Sequence, residues 1–380
     1  MAENKMAPVL FEPLYKEKIW GGNNLNKILN KNINILEKTG ESWEISGHQS
    51  SPSIAVTKPY KGMTLIDIMC EYGRDILGKD AEHADFPLLC KFIDANDKLS
   101  IQVHPDDRQA LDAGWGKKGK TECWYIVEAK PGAKIIAGLK KDITPGRIKD
   151  YIAQNKFEEC LNYIEIKKGD VLFIPAGTVH AIMDGTVIYE IQESSDITYR
   201  LYDWDRVDIN GKQRRLHIDE SVQIISPCET LEYKIPPLKM LLAKNENNLT
   251  AAAGSVRSVS KYFALEEYDF YHTAKINLPV KKSFRILTVI SGLIELHYYT
   301  GTMIVCKGQT VLIPASIKNV QTTGLSHTKF LVTTIPDIMD EIIRPLKNKG
   351  FKDEQIIALG GADASKNDIA ALLLPGELLT

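Results

Sequence analysis

The feature that most constrains this chain is an internal repeat. Lys168-Gly169-Asp170-Val171-Leu172-Phe173-Ile174-Pro175-Ala176 lines up with Lys307-Gly308-Gln309-Thr310-Val311-Leu312-Ile313-Pro314-Ala315. Gly169 and Gly308 stand 139 residues apart (169 to 308), and so do Pro175 and Pro314. Two unrelated strands that merely end in proline would need coincidence along the whole segment. Self-similarity at a fixed offset is the mark of a duplicated structural unit. A turn glycine, four apolar residues and a proline describe a short buried strand that stops abruptly. Two related β-barrels are therefore expected. The first copy continues to His180, whereas the second has Asn319 at the matching position.

Length agrees with duplication. At about 150 residues per domain, 380 residues correspond to roughly 2.5 domains. The expected division is 1–235 with helical segments, 236–335 as the degenerate copy, and 336–380 as a helical tail. Hydrophobic residues at 44% and charged residues at 25% are ordinary globular usage, which excludes disorder and collagen-like repeats. With 47 Lys+Arg against 49 Asp+Glu the net charge is −2, so no nucleic-acid partner held by bulk electrostatics is expected. Recognition should happen in a pocket.

Cysteines stand at 70, 90, 123, 160, 228 and 306 with no Cys-x-x-Cys pair, which fits neither a disulfide framework nor a zinc ribbon. The start, Met1 to Pro8, lacks the apolar run of a signal peptide. Nothing approaches the roughly 18 consecutive apolar residues of a membrane helix. A reducing, cytoplasmic setting without a membrane partner is the expectation.

Strand-like runs concentrate in residues 85–335, among them 99–104, 123–127, 134–137, 163–166, 171–174, 187–192, 286–290, 294–298 and 310–313. Their spacing predicts an antiparallel sandwich or barrel. Helices are expected at 65–77, 108–113, 145–155 and 335–346, the third with Thr144 as N-cap and Pro145 at its first position. Residues 227–260 carry little β periodicity, and 245–254 reads as a connector. The fold class is mainly β, two barrels with helical insertions.

The pattern Gly169-x5-Pro175-x-Gly177-x2-His180 resembles the second motif of the cupin superfamily, whose fold is a jelly-roll β-barrel. Gly169 opens a turn, Val171–Ile174 form a strand, and Pro175 with Gly177 bends the chain so that His180 faces the barrel mouth. Gln102 and His104 share one face of a strand by the period-two rule, as do Lys120 and Glu122. Two imidazoles and a carboxylate form a divalent-cation set, and an amide oxygen completes it or else hydrogen-bonds the ligand. Trp124 shares the face of Glu122, which argues against an ordinary surface carboxylate.

A narrower resemblance then comes into view. Leu99-Ser100-Ile101-Gln102-Val103-His104-Pro105-Asp106, Lys120-Thr121-Glu122, His180 and Asp196-Ile197-Thr198-Tyr199-Arg200 are similar to segments of the type I phosphomannose isomerases. So are Lys18-Ile19-Trp20-Gly21-Gly22, Gly40 to Ser46, and Phe86 to Phe92. The likeness runs from residue 10 to about 335 and matches the short bacterial form. It implies one zinc ion per chain on Gln102, His104, Glu122 and His180, with Lys120, Asp196 and Arg200 as catalytic residues. It also implies a phosphosugar substrate. The sequence leaves the oligomeric state open between a monomer and a homodimer, with a barrel edge in the second half available for pairing. Around Arg200 the chain departs from the family, continuing Leu201-Tyr202-Asp203-Trp204-Asp205-Arg206.

The chemistry agrees with these residue types. Interconverting an aldose and a ketose moves a proton between neighbouring carbons through an enediolate, so the site must stabilise oxygen charge and supply a base. A bound metal serves the first need. Lys120 and Asp196 are rival bases. Arg200 offers a fork of donors for a phosphate dianion. Two other readings stand beside this one. An iron-dependent cupin oxygenase also uses two His and a carboxylate but leaves Lys120 and Arg200 unexplained. A non-catalytic carbohydrate-binding cupin would need no base.

Overall fold

A computed structural model describes residues 6–78, 85–114, 116, 118–141, 143–207, 211–226 and 231–374. Cys228 and the last residues of the tail lie outside them. The fold is mainly β, and the strands are paired antiparallel throughout the described ladders. No described helix is long and apolar enough to cross a membrane.

The first half supplies two sheets. One has six strands in the order Val171–Ile174, Glu122–Ala129, Thr186–Glu193, Leu88–Ala95, Thr39–Ser46 and Leu14–Gly22. The other has five, ordered Tyr199–Tyr202, Ile101–Val103, His180–Ile182, Lys134–Leu139 and Leu161–Glu165. The remaining strands form an eight-stranded and a four-stranded sheet, most of them from the second half.

Both faces of the six-stranded sheet are covered, which explains why its strands lack an alternating polar pattern. Trp124, Ile126, Ile93 and Ile188 point to the inner core of the first half. Their neighbours Cys123, Tyr125, Phe92 and Tyr189 join the largest core, shared with the second half. Phe86 meets Phe284 with ring centroids 4.8 Å apart, and the Thr288 hydroxyl donates to the Tyr189 oxygen at 3.0 Å. The halves are welded through a wall of the site.

The repeat is visible in the backbone. Gly169 and Gly308 have φ of +85° and +81°, the region glycine enters without steric cost. Each turn leads into a four-residue strand, Val171–Ile174 or Thr310–Ile313. Ile174 pairs with Glu122, and Ile313 pairs with Arg285.

Three expectations are revised. Residues 9–55 hold four strands, and Val9–Glu12 and Ile54–Ala55 are the last two members of the eight-stranded sheet. Val9–Glu12 pairs with Thr310–Ile313 and carries Ile54–Ala55 on its other side, and a partner so distant in sequence leaves no local signature. Residues 245–254 are not a connector between the halves, because Leu238–Lys244 and Thr250–Val259 form a hairpin whose turn is Asn245 to Leu249. Ala251, Ala252 and Ala253 lack the β-branched bulk by which a strand is recognised, yet Ala251 and Ala252 are buried in the sheet. Thr144 stands at the N-cap with Pro145 behind it, but its hydroxyl makes no capping bond, and the segment opens as a 3-10 turn before Ile148–Ala153.

Candidate active site

The site lies between the two sheets of the first half. Gln102 and His180 come from the five-stranded sheet, where they are direct partners, and Glu122 comes from the six-stranded one. His104 follows the strand Ile101–Val103. One ligand atom each of His104, Glu122 and His180 falls within 4.8 Å of the others. The three side chains are 1% exposed.

Their orientation is fixed from behind. Nδ1 of His104 lies 2.7 Å from the Ile197 carbonyl, and Nδ1 of His180 lies 2.8 Å from that of Thr178. A carbonyl only accepts, so each Nδ1 carries the proton and each Nε2 turns its lone pair inward. These Nε2 atoms stand 3.4 and 3.5 Å from the Glu122 oxygens. Gln102 Nε2 lies 3.5 Å from His104 Nε2 and 3.3 Å from His180 Nε2. The Trp124 ring meets His180 edge-on at 5.5 Å, closing the floor.

Charge is balanced narrowly. Lys120 Nζ is 2.9 Å from Glu122 Oε1 and 3.3 Å from His104 Nε2. Burial, the largest single cause, would raise the Glu122 pKa, but Lys120 and the two histidines together outweigh it and hold the carboxyl well below its usual value. Burial, then the Lys120 charge, lowers His104 to about 3, and burial also lowers His180. Neutral imidazoles facing an ionised carboxylate are the protonation states that ligate metals. Apart from the Lys120 ion pair on Oε1, neither Glu122 oxygen has a hydrogen-bond partner. A buried carboxylate with so few partners still has room for a second cation on its free side. The donor set and its protonation fit a divalent metal ion.

The cavity in front of these residues is about 420 Å³ and is lined by Gln102, Lys120, His180, Asp196 and Arg200 among others. Arg200 donates from Nε to Ser100 Oγ at 3.2 Å and from Nη1 to the Arg215 carbonyl at 3.2 Å. Burial and the nearby Arg214 charge lower its pKa. Asp196 stands on the rim, 66% exposed, with Oδ2 3.5 Å from His48 Nε2. Five of the expected residues thus share one cavity, with His104 and Glu122 in contact with them behind its lining. Asp196 is its wet member and Lys120 its dry one. Arg206, downstream of Arg200, turns away and is held by Asp203 and the Lys98 carbonyl.

Sequence reasoning missed several lining residues. Lys91 Nζ lies 2.9 Å from Glu190 Oε1, and Trp124 Nε1 donates to Glu190 Oε2 at 2.9 Å. Burial would lower the Lys91 pKa, but Glu190 and Glu41 raise it on balance. Burial, then the Glu122 charge, raises that of Glu190. A lysine inside Leu88-Leu89-Cys90-Lys91-Phe92-Ile93 and a glutamate inside Val187-Ile188-Tyr189-Glu190-Ile191 were available signals, since buried charges need a reason. Arg214, also in the wall and bonded to Asp203, sits in a charged loop that gave none.

A β-sheet enzyme is the class that this fold and pocket define, with a buried His-Glu-His metal-type cluster facing a cation-rich cavity. Residues 9–117 match the family model described as phosphomannose isomerase type I, catalytic domain. The mannose-6-phosphate isomerase of Streptococcus mutans is 34% identical over 317 residues, 83% of this chain and 95% of that protein. Mannose-6-phosphate isomerase ManA of Bacillus subtilis is 33% identical over 323 residues, 84% and 97%. The crystal structure of a mannose 6-phosphate isomerase from Bacillus subtilis superposes with a TM-score of 0.77 at 34% identity, covering 86% of this chain and 99% of that one. The chain belongs to the type I phosphomannose isomerase family.

Proposed function

We propose that this protein interconverts mannose 6-phosphate and fructose 6-phosphate with the help of one zinc ion. The observation that carries the reading is the buried convergence of His104, Glu122 and His180 at the base of a cavity whose wall holds Lys120, Lys91 and Arg200. Gln102 is the fourth proposed ligand, since a half-turn of its amide presents oxygen in place of nitrogen. When bound, the metal supplies Lewis-acid stabilisation of oxygen charge.

The chain's own groups do the rest. Lys120 is buried and already in contact with the ligand set, so it is the proposed proton carrier between the two carbons. Asp196 remains its rival from the rim, where water reaches it. Arg200 and Arg214 form the proposed phosphate clamp, a fork geometry suited to a dianion. The Lys91–Glu190 pair and Trp124 form a dry floor that keeps water from the reacting carbons.

Each half is proposed to be a cupin-type jelly-roll barrel, a reading supported by the repeat and by the paired sheets. The proposed units are 1–235, 236–335 and 336–380, with the strand Val9–Glu12 lent to the second unit's sheet. The five described cysteines are free, consistent with a reducing cytoplasmic home. A monomer or homodimer is proposed.

The test is direct. Purified protein given fructose 6-phosphate should form mannose 6-phosphate, and a chelator should stop it. No product from a metal-replete sample would overturn the reading, and oxygen uptake in its place would favour the oxygenase.

A further inference from the structure

No described residue of the C-terminal tail lines the catalytic cavity, yet two of its side chains open hydrogen-bonded chains that lead to the segments carrying the site. Ile342, Ile343, Leu346, Ile356, Leu359 and Ile369 anchor the tail in the main core. Asn367 fixes the segment between. Its Oδ1 accepts from the Ile369 and Ala370 amides, and its Nδ2 donates to the Ile357 and Gly361 carbonyls at 2.8 and 2.7 Å. With all its bonding capacity used, Asn367 presents its neighbours Lys366 and Asp368 in set directions.

One arm begins at Lys366, whose ammonium donates to the Ala176 carbonyl and, at 2.8 Å, to Ser226 Oγ. The next residue, Gly177, donates its N–H to the His104 carbonyl at 2.8 Å. A Cβ at Gly177 would meet Ser226 Oγ at 2.4 Å, so this corner has no slack.

The other arm begins at Asp368, whose Oδ2 accepts the Lys261 amide at 2.7 Å. Tyr262 then donates from its hydroxyl to Asp107 Oδ2 at 2.8 Å, crossing from the second half to the first. The other Asp107 oxygen accepts the Gly119 amide at 2.7 Å. From there the Lys120 amide donates to the Pro105 carbonyl at 3.0 Å, and the Thr121 amide to Glu193 Oε2 at 2.8 Å. Both arms therefore end on residues 104–107 and 119–121, the segments that carry His104 and Lys120.

We propose that the tail is a strap that positions the catalytic lysine and one metal-site histidine, with Tyr262, Lys366 and Asp368 as positioning residues. The proposal rests on the function assigned above, in that Lys120 and His104 must matter to turnover. None of the three touches the cavity, so their effect should fall on the chemical step and not on binding.

The experiment compares full-length protein with Tyr262→Phe, which removes one hydroxyl and keeps the ring, and with Asp368→Ala. Tyr262→Phe should lower kcat about five- to tenfold, with KM for fructose 6-phosphate within about twofold, because a small displacement of a catalytic group is costly. Metal content should stay unchanged. Amide exchange at Gly119 and Thr121 should speed up about tenfold while the strand Leu88–Ala95 keeps its protection. Asp368→Ala should give the same pattern, and the double variant should be no slower than the worse single, since both lie on one arm. Unchanged exchange at 119 and 121 in folded Tyr262→Phe would overturn the strap. So would faster exchange with kcat intact. If the wild-type protein does not isomerise the sugar, the assigned function fails, and the exchange result alone decides whether the tail holds these segments.

Discussion

The two halves place opposite charges at one ladder position. Glu122 faces Ile174 in the first half, and Arg285 faces Ile313, its counterpart at the 139-residue offset, in the second. Around Glu122 the site is completed by two imidazoles. Around Arg285 the position of His180 is held by Asn319, and the 2%-exposed guanidinium donates to the Pro279 carbonyl at 3.3 Å and to that of Ile317. Thr178, whose carbonyl holds His180, is the counterpart of Ile317 at the same offset. The second half thus carries a covalently attached cation of its own, and burial lowers its pKa to about 10. The same ladder position carries a metal-type ligand cluster where the sequence supplies a carboxylate and an internal cation where it supplies an arginine.

Breaking the first half should have the largest effect. Glu122→Gln keeps shape and removes the charge, so metal content should fall well below one per chain. Turnover should drop on the order of a thousandfold or more. Elemental analysis beside the isomerase assay checks both, and a variant that keeps its metal would show that Glu122 is no ligand. Arg200→Ala should separate substrate charge from metal charge. KM should rise about ten- to a hundredfold, by the loss of charge-assisted hydrogen bonds of about 1.5–3 kcal/mol, with metal content unchanged.

The second half should respond in stability alone. Arg285→Met leaves two carbonyls without donors, at a cost of about 1–3 kcal/mol, visible as a lower denaturant midpoint. Metal content and kcat should stay within about twofold. An activity loss matching that of Glu122→Gln would erase the contrast between the halves.

The smallest effect concerns Glu193, which backs the 119–121 segment. Burial raises its pKa to about 8 from 4.5, with Asp107 adding to the rise and the Thr121 amide opposing it. Tyr262 and Lys118 also face this group. A carboxyl whose folded pKa lies above its unfolded one favours folding most while protonated in both states. Its contribution is therefore full below pH 4.5 and is lost as pH rises through about 8. Glu193→Gln, a mimic of the protonated form, should flatten the fall in stability across that interval. An unchanged slope in pH-dependent unfolding would remove Glu193 from the account.

The centre of the site was legible because its residues follow short spacings. Gln102 and His104, like Lys120 and Glu122, are spaced by two, and although each strand holds only one member of its pair, both members still reach the cluster. His180 was marked by its glycine–proline frame. Lys91 and Glu190 escaped because each is satisfied by a residue on another strand, information that no local window holds. For the same reason, the pairing of Val9 with Leu312 was invisible. Arg214 and the tail's Asp368 reach their partners across loops, where a charged residue reads as solvated surface. What spacing encodes could be read, and what closure of the sheets brings together could not.

The central claim is that the first half alone holds one metal ion and works through it. Zinc titrated into metal-stripped protein, with mannose 6-phosphate formation followed at each step, tests this most directly. Activity should return in proportion to added ion and level off at one per chain, and Glu122→Gln should not recover. Full activity without metal, or a plateau at two ions per chain, would contradict it.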